Sequence, residues 1–460
     1  MNSPEVIILG GGPAGATASL LLASWGHSVR VITKGGVDHS LAVSLPPSCG
    51  KLFDAIGVSE AIARAEFVRS TGNTVWWGGA DARVEAFASN ARGWQLEVSR
   101  LADVILQRAI AAGVTVERAL VSDPPRGFVL DCTGRAGVIA RARNMRRQDQ
   151  GPRTIALVGA WQRADAWPVP DDTHTLIESY DDGWVWSVPL GNNIRHVAAM
   201  VDPQRSGLAR GGSKKDVYLA EIRKTREFSR LTSDATLIDG PWGWDASQYD
   251  AVEYAGDGWM LVGDAGSFID PLSSAGVKKA LASGWLAAIV AHTCLTTPSM
   301  KAHALAFFSA REREITQHLV RESRRFLSEA ASGHRRAFWE DRSEEEASPS
   351  DQAAVQRAFN QLKEAEGLNA QIGRGVAIED RPMIRGNEIV LEAHLVPPDV
   401  PQGVRYVSGI DVVALAELAP ASRQVPDLYE AYVQRVGSAS LHDFLHALAA
   451  ALARGWLVAE

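Results

Sequence analysis

The chain has 460 residues, 46% of them apolar and 22% charged, which suits a soluble globular protein of two or three domains with a large buried core. A formal charge of −7 argues against a general binder of nucleic acid or anionic membrane. Cys49, Cys132 and Cys294 lack metal-ligand spacing, so neither a disulfide framework nor a metal site is expected; with no membrane-length apolar run and no signal segment before the first strand, the expected compartment is cytoplasmic.

In chain order, the first element is an apolar strand at 6–9 that stops at Gly10-x-Gly12-x-x-Gly15. An Ala/Leu-rich helix follows from Ala14, just after Pro13, to about Ser24, and a second strand covers 28–33. Strand, glycine turn and helix form the dinucleotide-binding arrangement, in which the free N–H groups of the helix face a pyrophosphate. NAD, NADP and FAD all use it. An acidic side chain commonly ends the second strand and holds the ribose. Thr33-Lys34 stands there instead, which predicts a weaker ribose contact or, alternatively, an NADP site with Lys34 on a 2′-phosphate.

Further along, 73–78, 154–161, 174–179, 184–190 and 195–201 alternate as strands of a largely antiparallel sheet, with an amphipathic helix at 101–112 and a short buried strand at 128–130. A last nucleotide-domain strand at 259–262 runs into Gly-Asp264-Ala, then Asp270-Pro271-Leu-Ser-Ser274-Ala275-Gly276 and a long helical region to about 332. An aspartate at a strand end can accept from a ribityl hydroxyl. A helix start aimed at the flavin N1/C2=O edge stabilises the anionic reduced ring. Paired with the glycine turn about 250 residues earlier, this segment selects FAD.

The fold expected is therefore α/β. A Rossmann-like FAD-binding domain and an antiparallel substrate sheet (mainly 60–90 and 150–245) interleave over 1–340. A polar, acidic linker or helical region follows over 341–375. A small winged-helix-like α+β module covers 376–460, with a hairpin from 387–395 and 404–407, three short helices and a terminal apolar strand.

Over residues 4–340 the chain resembles the flavoprotein monooxygenases, most closely their flavin-dependent halogenase branch. Ser44-Leu-Pro-Pro47 resembles the Gly-Glu-Ser-Leu-Pro-Pro segment of that branch, with Ala42-Val43 in place of Gly-Glu. Arg100 matches the arginine that reaches the FAD phosphates, and Asp131-Cys-Thr-Gly-Arg135 the Asp-Ala-Thr-Gly-Arg element. Phe268-x-x-Pro271-x-x-Ser274-x-Gly276 matches the flavin turn, and Trp184-Val-Trp186-Ser-Val-Pro189 the Trp-x-Trp-x-Ile-Pro signature. Two core tryptophans on one side of a strand explain the last match equally well.

Halogenases carry a lysine on the early strands that captures hypohalous acid. This chain has no lysine between Lys51 and Lys214, and a guanidinium such as that of Arg69 is never a free amine at working pH. Hydroxylation of an aromatic ring therefore leads, with Arg69, Trp76 and Trp77 as pocket candidates on the strand expected to face the flavin. Segment 376–460 resembles the winged-helix domains that bind leader peptides by adding a strand, although a structural cap is an equal reading. Together these features point to an indole in a tryptophan-containing polypeptide as the aromatic substrate, as in the flavoproteins that mature the quinone of quinohemoprotein amine dehydrogenase. A flavin halogenase and a flavin-dependent polyprenyl reductase are the alternatives. A flavin reductase or transient NAD(P)H would supply electrons.

Overall fold

The computed structural model describes residues 6–35, 39–79, 81–88, 90–148, 151–343, 351–364 and 367–459. The chain divides into two compact units, residues 1–345 and 346–460.

In the first unit, the four buried side chains of Val6–Leu9 make a central strand, parallel to Val29–Thr33 on one side and Phe128–Asp131 on the other. Thr115–Arg118 extends this sheet beyond Val29–Thr33. Trp259–Leu261 and the short Ala255–Gly256 extend it beyond Phe128–Asp131. Parallel neighbours need a crossover, and the helix Pro13–Ser24 supplies the first. The helices Val98–Ala111 and Gly276–Thr296 pack on it.

A seven-stranded sheet forms the second layer. Its order is Thr236–Asp245, Ile155–Gln162, Ile194–Val201, Gly183–Gly191, Thr175–Tyr180, Gly72–Trp76, Arg83–Ala86. All neighbours are antiparallel except Thr175–Tyr180 with Gly72–Trp76, which run parallel. Alternation along the strands divides the side chains between two faces. Trp76, Leu157, Val185, Val197 and Ala199 pack against Val217, Tyr218 and Ile222 of the helix Lys214–Lys224 and against Phe228 and Leu231. On the opposite face Ala156, Val158, Trp184, Ala198, Met200 and Trp242 pack against Leu327 and Ala330 of the helix Lys301–Ala331, and against Phe338 and Trp339.

The edge strand Thr236–Asp245, not marked out individually by its sequence pattern, contains Gly240-Pro241; a register shift between Val158 and Ala160 accommodates it. One element differs from expectation. The single helical region expected over 276–332 is two helices, because Pro298 follows the end of Gly276–Thr296 and cannot donate to it.

In the second unit, the helix Asp351–Glu364 belongs to the small domain. Its Val355, Phe359 and Leu362 share a core with Leu428, Tyr432, Phe444, Leu448 and Trp456. Part of the polar linker, residues 344–350, lies outside the described residues. The hairpin pairs Ala377–Arg385 with Glu388–Val396 through a two-residue Gly386-Asn387 turn. Gly386 takes a left-handed φ of 59°, as tight hairpin turns require. The partner expected for this strand, 404–407, contributes only the bridge Leu395–Val404 and a short pairing with Ile410–Asp411. Pro382 and four charged residues hid the first hairpin strand from its alternation pattern. The unit also holds three helices, Val412–Leu418, Val425–Val436 and Leu441–Ala453, and the strand Leu457–Ala459, which pairs antiparallel with Ala370–Ile372.

Candidate active site

The two glycine-bearing motifs, far apart in sequence, meet through bare backbone. A Cβ on Gly15 would lie 2.0 Å from the Gly10 carbonyl oxygen, and one on Gly284 would lie 2.4 Å from the Ala14 oxygen. The helices Pro13–Ser24 and Gly276–Thr296 therefore pack at a separation only glycine permits. Gly263 stands beside Ala14, where its Cβ would be 3.3 Å from the Ala14 side chain. Gly10 takes a left-handed φ of 96°, which turns the chain from strand to helix. Gly12 is different, because a Cβ there would meet nothing within 4 Å. It begins the helix without a side-chain cap, leaving an open approach to the first N–H groups.

At the strand end, Asp264 Oδ1 is buried without a hydrogen-bond partner, 3.6 Å from Lys279 Nζ. Burial pushes the Asp264 carboxyl up, and the Lys279 ammonium opposes this. Asp270 accepts from the Leu272 N–H at 2.9 Å and starts the turn Pro271–Ser273. Ser274 then takes a left-handed φ of 49°. That conformation is uncommon for a side-chain-bearing residue and aims the chain into the Gly276–Thr296 helix. A Cβ on Gly276 would again meet nothing within 4 Å. An orphan acceptor, an open glycine approach and an open helix start fit FAD. The ribityl chain would lie on Asp264, the pyrophosphate at Gly12 to Gly15, and the ring edge at the 274–276 helix start.

The other expected cofactor residues take separate positions. Thr33 ends its strand with its hydroxyl 3.6 Å from the position of a Cβ on Gly11, and Lys34 is exposed. Ser44 lies in Ala42–Leu45, opposite Gln95. Lys278 Nζ donates to Ser48 Oγ at 3.1 Å, tying the turn helix to the segment after Ser44-Leu-Pro-Pro47. Arg100, in the first turn of Val98–Ala111, stacks over Phe67 at 4.9 Å and donates to the Ala65 carbonyl. Asp131 has an internal role: its carboxylate accepts from the Thr133 N–H and hydroxyl and from the Ile139 N–H, capping the helix Val138–Ala142.

The three pocket candidates separate. Arg69 folds back onto its own sheet, donating to the carbonyls of Gly93 and Arg92, each at 3.0 Å, and lying 4.5 Å over the Trp94 ring. Trp76 belongs to the face packed against Lys214–Lys224. Trp77 alone lies on the opposite face, its indole N–H donating to the Phe326 carbonyl at 2.8 Å and its ring edge-on to Trp184 and Trp339. Phe268 and Leu272 of the flavin turn pack on this same face.

Trp186, already marked by its signature match, is joined there by Trp242 and His196, which the sequence reading did not single out. Trp242 is 8% exposed and Trp186 is half-buried, and the indole nitrogens of both are buried without a partner. Trp242 pairs across the strands with Val158, Val158 with Ala198, and Ala198 with Trp186. The two indoles thus stand three strand spacings apart, on the order of 14 Å, over a floor of smaller side chains. His196 accepts from the Ala42 N–H at 3.3 Å through Nδ1 and lies edge-on to Trp242, with burial pushing its pKa down to about 4. Only knowledge of the strand register could have grouped these residues, because Trp242 lies in the edge strand that its sequence pattern does not mark out.

Residues 3–121 match the FAD-binding domain family. The chain is 26% identical over 344 residues to a tryptophan 2-halogenase of Chondromyces crocatus, an alignment covering 67% of this chain and 64% of that enzyme. It is 25% identical over 360 residues to the flavin-dependent halogenase armH3 of Armillaria mellea, covering 67% and 71%. The chain thus spans less than two thirds of the first relative's length. Among solved structures, the flavin-dependent halogenase CmlS superposes with a TM-score of 0.82 at 20% identity, over 100% of this chain and 96% of that one. The peptidyl tryptophan dihydroxylase QhpG superposes with a TM-score of 0.68 at 22% identity, over 95% and 96%. These likenesses to solved structures establish the shared fold.

Proposed function

We propose, for a chain that belongs to the flavin-dependent monooxygenase and halogenase superfamily and binds FAD, that it modifies an electron-rich aromatic ring, an indole above all. One observation carries this reading: the flavin turn, through Phe268 and Leu272, packs on the sheet face that bears Trp77, Trp184, Trp186 and Trp242. Flat aromatic walls there can hold a ring by stacking. FAD, when bound and reduced, supplies the activation of dioxygen. The protein's own groups hold the cofactor by the cradle, exclude water with the tryptophan face, and offer the Trp186 and Trp242 N–H groups as donors to a substrate acceptor.

Of the two forms of this chemistry, the relatives' names favour halogenation over the hydroxylation ranked first from sequence. In that reading the flavin-turn amine that reaches the Leu-Pro-Pro segment, Lys278, is the candidate halogen carrier, since Lys279 is spent on backbone carbonyls. Hydroxylation is favoured by a specific observation. Residues 52–213, which supply six of the seven strands of the sheet, contain no lysine, and direct oxygen transfer needs no amine carrier. A polypeptide substrate is supported by the name of the dihydroxylase neighbour, which covers the second unit as well.

The test is intact mass spectrometry after incubation with reduced FAD, dioxygen and chloride, using free tryptophan and a tryptophan-containing peptide in parallel. Replacement of hydrogen by chlorine, lost in Lys278→Met, establishes halogenation. Gain of one or two oxygens, unaffected by chloride, establishes hydroxylation. Flavin oxidation that leaves both substrates unaltered sinks the aromatic reading.

A further inference from the structure

Against the flavin turn, the helices Gly276–Thr296 and Lys301–Ala331 enclose charges that neither reaction uses. Lys279, with a side chain 1% exposed, donates from Nζ to the Gly263 carbonyl at 3.1 Å and the Ser267 carbonyl at 2.6 Å. It thereby clamps the backbone on both sides of Asp264, whose Oδ1 it faces at 3.6 Å. Glu312, on the second helix, is 0% exposed, and neither of its carboxylate oxygens has a hydrogen-bond partner. The groups facing it are Lys279 and Ser283 of the turn helix and, beyond them, Asp264. Ser283 Oγ accepts from the Gly263 N–H at 2.8 Å. One turn past Glu312, Thr316 bonds to Ser267 at 2.7 Å and to Tyr254 at 3.1 Å, and Tyr254 donates to Asp250.

One ammonium therefore serves two carboxylates. With both ionised the cluster carries a net negative charge; with Glu312 protonated it is neutral. A buried, uncompensated carboxylate is costly, and an anionic cofactor arriving at the same turn raises that cost. We propose that Glu312 is a positioning residue whose proton is linked to FAD binding: protonated, it leaves the Lys279 ammonium to Asp264 and the cofactor. Burial already pushes the Glu312 carboxyl up to about 7, with Lys279 acting against it. Because linkage is reciprocal, a ligand that favours the protonated form binds better where that form prevails. FAD affinity is then highest on the acid side of neutrality and falls as rising pH ionises Glu312.

This inference rests on FAD being the cofactor and not on the ring chemistry, so either can fail alone. The experiment is a fluorescence titration of the apoprotein with oxidised FAD between about pH 6 and about pH 8, where one linked proton changes affinity by up to about tenfold per pH unit. The wild type weakens across that range by several-fold. Glu312→Gln, an uncharged isostere, binds as tightly as the wild type at its acid end and shows no pH slope. Lys279→Met weakens binding at every pH, and the double variant Lys279→Met/Glu312→Gln recovers part of the loss. A flat wild-type profile, a wild-type slope retained in Glu312→Gln, or a Glu312→Gln protein that binds weakly throughout with a lowered melting midpoint would each overturn the proposal.

Discussion

In the flavin cradle the working parts are backbone groups and the glycines that bare them; on the sheet face packed against it they are large side chains chosen by pleat parity. The first region tolerates no added atom at Gly15 or Gly284, where a Cβ would fall 2.0 and 2.4 Å from carbonyl oxygens. The second is filled by Trp184, Met200 and Trp242, and keeps two buried indole N–H groups unpartnered. A ligand meets fixed N–H groups and one orphan carboxylate oxygen in the cradle. On the face it meets aromatic walls. The cradle is thus specific for a cofactor shared by many proteins, whereas the face is free to set a substrate.

The largest effects should come from the cradle, and two glycines test its logic. Gly15→Val forces a side chain into the Gly10 carbonyl, and overpacking of that kind costs about 1–3 kcal/mol or more. The apoprotein itself should melt lower, and FAD binding should fall by about a hundredfold or more. Gly12→Ala should leave the apoprotein's melting midpoint unchanged, since nothing of the protein lies within 4 Å of its Cβ, yet weaken FAD by about tenfold by crowding the pyrophosphate approach. Equal melting losses in the two variants would break the distinction between a glycine needed by the fold and one needed by the ligand.

On the sheet face the corresponding test is a histidine. His196 is 6% exposed and its folded pKa is pushed down to about 4 by burial, against about 6.5 in an unfolded chain. A depressed histidine contributes stability that is complete above the unfolded value and is lost as pH falls toward the folded value, about 2 kcal/mol between pH 7 and pH 5. Glu312, with its raised pKa, acts in the opposite sense over the same interval. The measurement is therefore a difference: urea unfolding of the apoprotein and of His196→Gln at both pH values, in which the Glu312 contribution cancels. The stability advantage of the wild type should shrink by about 2 kcal/mol at the lower pH. A constant difference would show that His196 is not held neutral.

The contrast explains what was legible in the sequence. Glycine turns, the Gly-Asp264-Ala strand end and the 271–276 turn are local: each requirement is met by residues adjacent in the chain, so pattern alone locates them. Face membership is not local. Trp76 and Trp77 are neighbours in sequence yet serve opposite faces of the sheet, and Arg69, though charged and close by, turns to Trp94. Trp242 joins Trp186 only through the pairings of two intervening strands, one with a register shift. The buried Lys279 and Glu312 were equally hidden, since two helices joined at Pro298 bring them to one cluster and nothing in either helix's sequence marks the charges as buried.

The smallest effect separates the two faces of one sheet. Trp186→Phe keeps an aromatic ring and removes an indole N–H that has no partner in the protein. Stability should change by less than about 1 kcal/mol, FAD affinity should not move, and KM for the aromatic substrate should rise several-fold through lost stacking and hydrogen bonding, worth about 1 kcal/mol. Trp76→Phe shortens a side chain packed among Leu176, Val217 and Tyr218. The void should cost about 1–2 kcal/mol of stability with kcat and KM unaltered. Melting curves and steady-state kinetics on both variants decide it. If Trp186→Phe lowers stability and spares KM, as Trp76→Phe is expected to do, both tryptophans are core residues, and the substrate must be sought away from the sheet face that meets the flavin turn.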